Sequence, residues 1–168
     1  MSYRANVNEF RFLLDHVVGF DRVVATERFD EATPDTCAAI LDEAARLATG
    51  VLAPVNRAGD LHPARLENGV TRTSPGFAEA YRAIAEGGWI GISATSEHGG
   101  MDLPLSLATC VNDMMAAACL SLSLNPLMSQ GQIEALEHHA SDALKELYLP
   151  KLISGEWCGT MNLTEPQA

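Results

Sequence analysis

A chain of 168 residues suffices for one domain that buries roughly 70% of its unfolded surface, so neither disulfides nor a metal is needed to hold it. Its 22 acidic residues against 11 basic ones give a formal net charge of -11, which lacks the cationic footprint that nucleic acid or an anionic membrane requires. The four cysteines, Cys37, Cys110, Cys119 and Cys158, match neither zinc-pair nor redox-dithiol spacing and read as buried reduced thiols.

Arg4, Glu9, Arg11 and Asp15 interrupt the opening segment, which therefore does not read as a signal peptide, and the chain is expected in the cytoplasm. Phe10, Leu13, Leu14, Val17 and Val18 recur at helical spacing and predict a first amphipathic helix ending at Gly19. Thr33-Pro34 starts a second: the threonine oxygen can cap free amides, and proline in the first turn loses no hydrogen bond. Cys37, Ile40, Leu41, Ala44, Leu47, Ala48, Val51, Leu52 and Val55 form its apolar stripe, with a bend expected at Pro54. Asn68-Gly69, between Arg65-Leu-Glu67 and Val70-Thr-Arg72, accepts the positive dihedrals of a tight turn and predicts a small solvent-facing hairpin.

Ser74-Pro75 repeats the capping pattern before a helix through Phe77, Tyr81, Ile84 and Ala85, which Gly87-Gly88 ends so that Trp89 and Ile90 can pack back on it. The loop that follows holds Glu97-His98-Gly99-Gly100; the first two could form an acid/base pair, against which stands a solvated turn with no third partner. Pro104 opens the most apolar helix, through Leu107, Val111, Met114, Met115, Ala118 and Leu122; its methionines could line a plastic ligand surface but at this spacing read first as core. Asn125-Pro126 is expected to break the weakly charged stretch into two helices instead of a membrane span. Gly131, inside the second of these, costs about 1 kcal/mol against alanine, so another segment is expected to pass close to it. His138-His139 point about 100° apart and read as a solvated helix end, not a metal site. Ser141 can cap a last helix that Pro150 and Gly155 close, and from Trp157 to Leu163 a period of two predicts a strand.

The run from Tyr148 to Glu156, YLPKLISGE, followed by MNLTEPQA from Met161 to Ala168, resembles the junction between the helical and strand domains of acyl-CoA dehydrogenases. That family continues past Thr-Glu-Pro-x-Ala into Gly-Ser-Asp, and this chain stops first, so the sequence is read as ending inside a site. Further likeness, at Tyr3, Glu31 to Asp35, Gly87-Gly-Trp89 and Met128 to Gly131, is to the 3-methylmercaptopropionyl-CoA dehydrogenase-like branch. The loop at Glu97 departs from the family, since Met101-Asp102 stands where a polar residue and a second glycine are usual.

The resemblance implies an all-α, up-and-down helical bundle with a hairpin near residues 65–72 and one terminal strand of a further β domain. It divides the chain into an N-terminal extension, 1–33, the family's α domain, 34–155, and the first strand of the middle domain, 156–168. It further implies an FAD enzyme that removes an α proton from an acyl-CoA while the β hydrogen leaves as hydride to flavin, with electron-transfer flavoprotein as acceptor and a homo-oligomeric state. Met161, Leu163 and Thr164 then fall on flavin-contacting positions, the Thr164 hydroxyl donating to the pyrimidine edge, and Met128, Gln130 and Gly131 border the acyl pocket. Read without the family, the terminal strand is a packing strand and the Gly131 region a close helix contact. The family's catalytic glutamate lies in a later domain, so these residues include no catalytic one, and the chain alone is expected to be inactive and to bind flavin poorly. A reading of another class is a non-catalytic helical binding or assembly module that self-associates through apolar surface. No nucleophile elbow, ligand cluster or phosphate loop supports a hydrolase or a metal enzyme.

Overall fold

The computed structural model describes residues 3–29 and 32–161. Apart from one two-stranded antiparallel hairpin, its regular structure is helical, as the all-α expectation holds. Helix α1 (Val7–Leu13) runs into a π-turn, Leu14–Val18, and Gly19 at φ 67° redirects the chain into α2 (Phe20–Val24). Leu14 and Phe20 are buried, but Phe12, Leu13, Val17 and Val18 remain exposed. The single apolar face expected there forms only at Phe10 and Leu14, and the wider π-turn rotates Val17 and Val18 off the α register.

Thr33 caps α3 (Pro34–Leu47) as its sequence requires: its hydroxyl accepts the Thr36 amide at 3.2 Å, and Pro34 opens the first turn. Cys37, Leu41, Ala44 and Leu47 bury one face of α3, and Ala48 and Leu52 extend it through a second π-turn, Ala48–Leu52, into α4 (Ala53–Leu61). The missing N–H of Pro54 thus falls where the ladder has already loosened, and the helix continues past it. In the hairpin, β1 (Arg65–Glu67) pairs with β2 (Val70–Arg72) around Asn68 (φ 52°) and Gly69 (φ 76°), with all six strand residues exposed.

Helix α5 (Phe77–Glu86) starts after Gly76 and not at Ser74-Pro75: the Ser74 carbonyl, not its side chain, takes the Phe77 amide. Gly87-Gly88 ends it, and Trp89 and Ile90 turn back into the core. The loop after them closes on itself through Met101 N–H to Gly91 O, Asp102 N–H to Ala94 O and Leu103 N–H to Ile92 O.

The central element, α6 (Leu105–His139), spans 35 residues but is two helical arms joined at Cys119, whose φ of -156° and ψ of 85° leave the helical region. Asn112 and Gln130, 18 residues apart, would lie about 27 Å from each other along a straight helix at about 1.5 Å per residue. Their side chains are 2.9 Å apart, so the arms 105–118 and 120–139 fold back on one another. The expected break is real but lies at Cys119, while Pro126 sits buried within the second arm. Its length and apolarity alone would let α6 cross a membrane; here the first arm buries Leu107, Val111, Met114 and Met115 in the core, against α3 and α4. The two methionines are therefore packing residues. Helix α7 (Asp142–Ile153) packs on α6 and runs three residues beyond Pro150, where Leu149, Leu152 and Ile153 are all buried.

Candidate functional site

Residues 154–161 leave α7 and cross the second arm of α6. Gly155 turns at φ 75°, the Trp157 amide bonds the Lys151 carbonyl at 3.0 Å, and the Lys151 ammonium sits 4.4 Å from the centre of the Trp157 ring. Next, the Gly159 amide donates to Ser129 Oγ at 3.0 Å, and Gln132 Nε2 donates to the Thr160 carbonyl. The alternation read as a strand is therefore not one over residues 157–161. A strand needs a neighbouring backbone, and this segment takes its bonds from helix side chains.

The crossing is close because Gly159 has no side chain: a Cβ there would lie 2.9 Å from Ser129 Cα and 2.7 Å from Gln132 Oε1. A close approach was expected at Gly131, but among the described residues nothing lies within 4 Å of a Cβ at that position. The glycine that admits the neighbour is on the crossing chain, two residues before Met161. Met161 itself is 56% exposed, while Leu163 and Thr164 lie outside the described residues.

Beside this crossing, between α6, α7 and the segment itself, is an open concavity of about 710 Å3 lined by Gln132, Leu136, Tyr148, Leu152, Trp157 and Cys158. Tyr81 of α5 donates its O–H to the Gly155 carbonyl at 3.2 Å and receives the Cys158 thiol at 3.2 Å. Burial first, then the Cys158 hydrogen bond and charge, push the Tyr81 phenol well above its ordinary range. Cys158 is exposed, contrary to the buried reading; Cys37, Cys110 and Cys119 are buried as expected.

The second arm of α6 is apolar on two faces. Leu122, Pro126, Ser129 and Ile133 face inward, whereas Leu120, Leu124 and Leu127, at spacings of four and three, are 59%, 46% and 52% exposed. Gly131 continues that outer stripe, exposed and with open space beside it. Met128, half-buried, adjoins Ser129 on the same arm. Gln130 and Gly131 line a cleft of about 380 Å3 between the two arms, with Phe29, Leu103, Asn112 and Leu127. Sequence reasoning missed Leu120, Leu124 and Leu127 as a surface stripe and Ser129, Gln132 and Gly159 as the crossing point. The stripe had a signal, apolar residues on both faces of one helix, which marks a helix packed on two sides.

Glu97 and His98 lie apart from this region, in a charged concavity with Glu137, Asp142, Lys145 and Glu146, where the Thr95 amide donates to Glu137 Oε1 at 2.8 Å. His138 and His139 are exposed side by side with ring centres 6.2 Å apart, and no group of three or more His, Cys, Asp or Glu among the described residues could hold a metal ion.

Of the three positions expected to contact flavin only Met161 is among the described residues, and its thioether stands exposed just beyond the anchored run of backbone, open to a flat ring.

Residues 34–156 match the family model described as acyl-CoA dehydrogenase, N-terminal domain. Similar curated proteins include the 3-methylmercaptopropionyl-CoA dehydrogenase of Ruegeria pomeroyi, 40% identical over 168 residues, covering 100% of this chain and 29% of that protein. A butyryl-CoA dehydrogenase of Syntrophomonas wolfei is 28% identical over 171 residues, covering 99% of this chain and 28% of its own. A glutaryl-CoA dehydrogenase of Desulfococcus multivorans is 34% identical over 96 residues, 55% of this chain and 24% of that protein. The chain thus spans less than a third of the length of the relatives it matches.

Proposed function

Because the chain belongs to the acyl-CoA dehydrogenase family, as its N-terminal domain, we propose that it forms one wall of a flavin site that dehydrogenates an acyl-CoA between its α and β carbons. The observation that carries this reading is the crossing at Ser129 and Gln132, which brings the segment leading to Met161 onto the same arm that exposes Leu120, Leu124 and Leu127. A long apolar substituent can lie along that leucine stripe and exclude water from it, and Gly131 leaves room at its end. Met128, Gln130 and Gly131 belong to the acyl wall in this reading, and Met161, Leu163 and Thr164 to the flavin wall, with the Thr164 hydroxyl donating to the ring's pyrimidine edge.

When bound, FAD would supply the acceptor for a hydride from the β carbon, with a base needed for the α proton. None of the 168 residues is assigned as that base; it comes from another part of the full-length enzyme, and electrons pass on to electron-transfer flavoprotein. The enzyme works in the cytoplasm as a homo-oligomer. Most contacts of a shared site are lost when one wall stands alone, so the 168-residue chain by itself holds flavin weakly and turns nothing over. Expression alone and joined to the downstream portion of a relative tests this. The chain alone should be colourless and inactive, and the joined form yellow and active on an acyl-CoA. Flavin or turnover in the chain alone, or neither in the joined form, would overturn the reading.

One observation favours the second reading, a helical assembly module: Phe12, Leu13, Val17 and Val18 form an exposed apolar patch around the first π-turn. Self-association that Phe12→Ser and Val17→Ser abolish, seen by light scattering, would support it; a monomer at every concentration would remove it.

A further inference from the structure

The Gln130 carboxamide spends both of its donor hydrogens and one acceptor position on the protein. Its Nε2 donates to the Trp89 carbonyl at 3.2 Å and to Asn112 Oδ1 at 3.4 Å, and its Oε1 accepts from Asn112 Nδ2 at 2.9 Å. Asn112 is on the first arm of α6, Gln130 on the second, and Trp89 on the loop after α5, so three separate pieces of the fold meet at one amide. The backbone at Cys119 has left the helical region and does not by itself fix the angle between the arms. The reciprocal Asn112–Gln130 pair bridges the arms directly, and it stands in the wall of a cleft that Leu127, Gly131, Phe29 and Leu103 line on its apolar side and Arg28, Glu134, Glu137 and His138 on its charged side. A group so occupied has little hydrogen-bonding capacity left for a ligand.

We propose that Gln130 is a positioning residue: paired with Asn112 and tied to the Trp89 carbonyl, it holds the two arms of α6 at one separation and so sets which acyl lengths the cleft between them accepts. This rests on reading the chain as the acyl wall of a dehydrogenase. The effect acts through Leu127 and Gly131, which ride on the second arm and shift when the brace is cut. A ligand contact by Gln130 would be lost with any change to its amide; a brace survives exchange of its two halves.

The test uses the full-length dehydrogenase that carries these residues, with KM and kcat measured across straight-chain acyl-CoAs of increasing length. Gln130→Leu keeps the side-chain size and removes the brace; Asn112→Leu cuts it from the other side. Both should shift the preferred length in the same direction and raise KM for the parent's best substrate by about tenfold more than they lower kcat. The exchange Asn112→Gln with Gln130→Asn should restore the parental length profile, and the flavin absorption band should be unchanged throughout. Should Gln130→Leu not fold, Gln130→Glu, which removes the donor, is read in the same way. A parental length profile in the single variants, or an exchange that rescues nothing, overturns the inference. A parent enzyme that turns over no acyl-CoA overturns the dehydrogenase reading and this inference together, whereas an active parent with an unshifted Gln130→Leu overturns the inference alone.

Discussion

Ser129 Oγ accepts the Gly159 amide at 3.0 Å, which ties the chain leaving α7 to the middle of the second arm of α6. Both residues are buried, so Ser129→Ala strands a buried donor and should cost about 1–3 kcal/mol. Gly159→Ala places a Cβ 2.9 Å from Ser129 Cα, a backbone neighbour that cannot swing aside as the Gln132 side chain can, and should cost about 1–3 kcal/mol by overpacking. Both act on one contact, so urea midpoints should show the double variant losing less than the sum of the two. Additive losses would mean that the crossing is not a single unit.

Tyr81 links stability to alkaline pH. Burial and then the Cys158 thiol raise its pKa above the usual 10.0, so the folded chain keeps a proton that the unfolded chain releases. The contribution is complete below about pH 10 and declines as pH rises beyond it, because there the unfolded state binds fewer protons. Tyr81→Phe should lose about 1 kcal/mol at neutral pH with the bond to the Gly155 carbonyl, and should lack that part of the alkaline decline. Urea midpoints stepped across the alkaline range check both; equal slopes in parent and variant would refute the linkage.

Where structure follows from a few neighbouring residues, the sequence was sufficient. Thr33-Pro34 dictates a cap, Asn68-Gly69 a turn, Gly87-Gly88 a stop, and the Cys37–Leu52 stripe a buried face. What it did not disclose depends on partners distant in the chain. Cys119 sits among good helix formers with no local reason to break, while Pro126, which has one, is held inside its helix by burial on the inner face. The two arms meet through hydrogen bonds of Gln130 to Asn112 and Trp89, residues 18 and 41 positions away along the chain. The same limit explains Gly131 and Gly159: composition marks both as special, but only the path of the crossing segment shows which one the close contact needs.

Cys158 is the exposed one of the four cysteines, which makes its thiol a chemical reporter for the crossing segment. Under native conditions a maleimide should label Cys158 and leave Cys37, Cys110 and Cys119 unmodified; denaturant should expose all four. Intact mass and peptide mapping read the result, and Cys158→Ser should abolish native labelling. Ser129→Ala, by loosening the crossing, should speed the reaction at Cys158. Native modification at Cys110 or Cys119 would contradict the packing of α6.

Gly131 separates stability from function most cleanly. It is exposed in the second arm of α6 with nothing described within 4 Å of a Cβ, so Gly131→Ala meets no clash and gains helix propensity. The chain should become more stable by about 0.5–1 kcal/mol, seen as a raised urea midpoint. If the open space beside it receives the acyl group, the same methyl intrudes on the substrate. In the full-length enzyme KM should then rise, most for the bulkiest acyl-CoAs, by up to about tenfold, the order that one added carbon in an apolar pocket produces. A glycine kept at a helix position where alanine would be more stable needs a reason outside the helix, and a stabilised variant with unchanged KM for every acyl-CoA would show that the acyl group is not that reason.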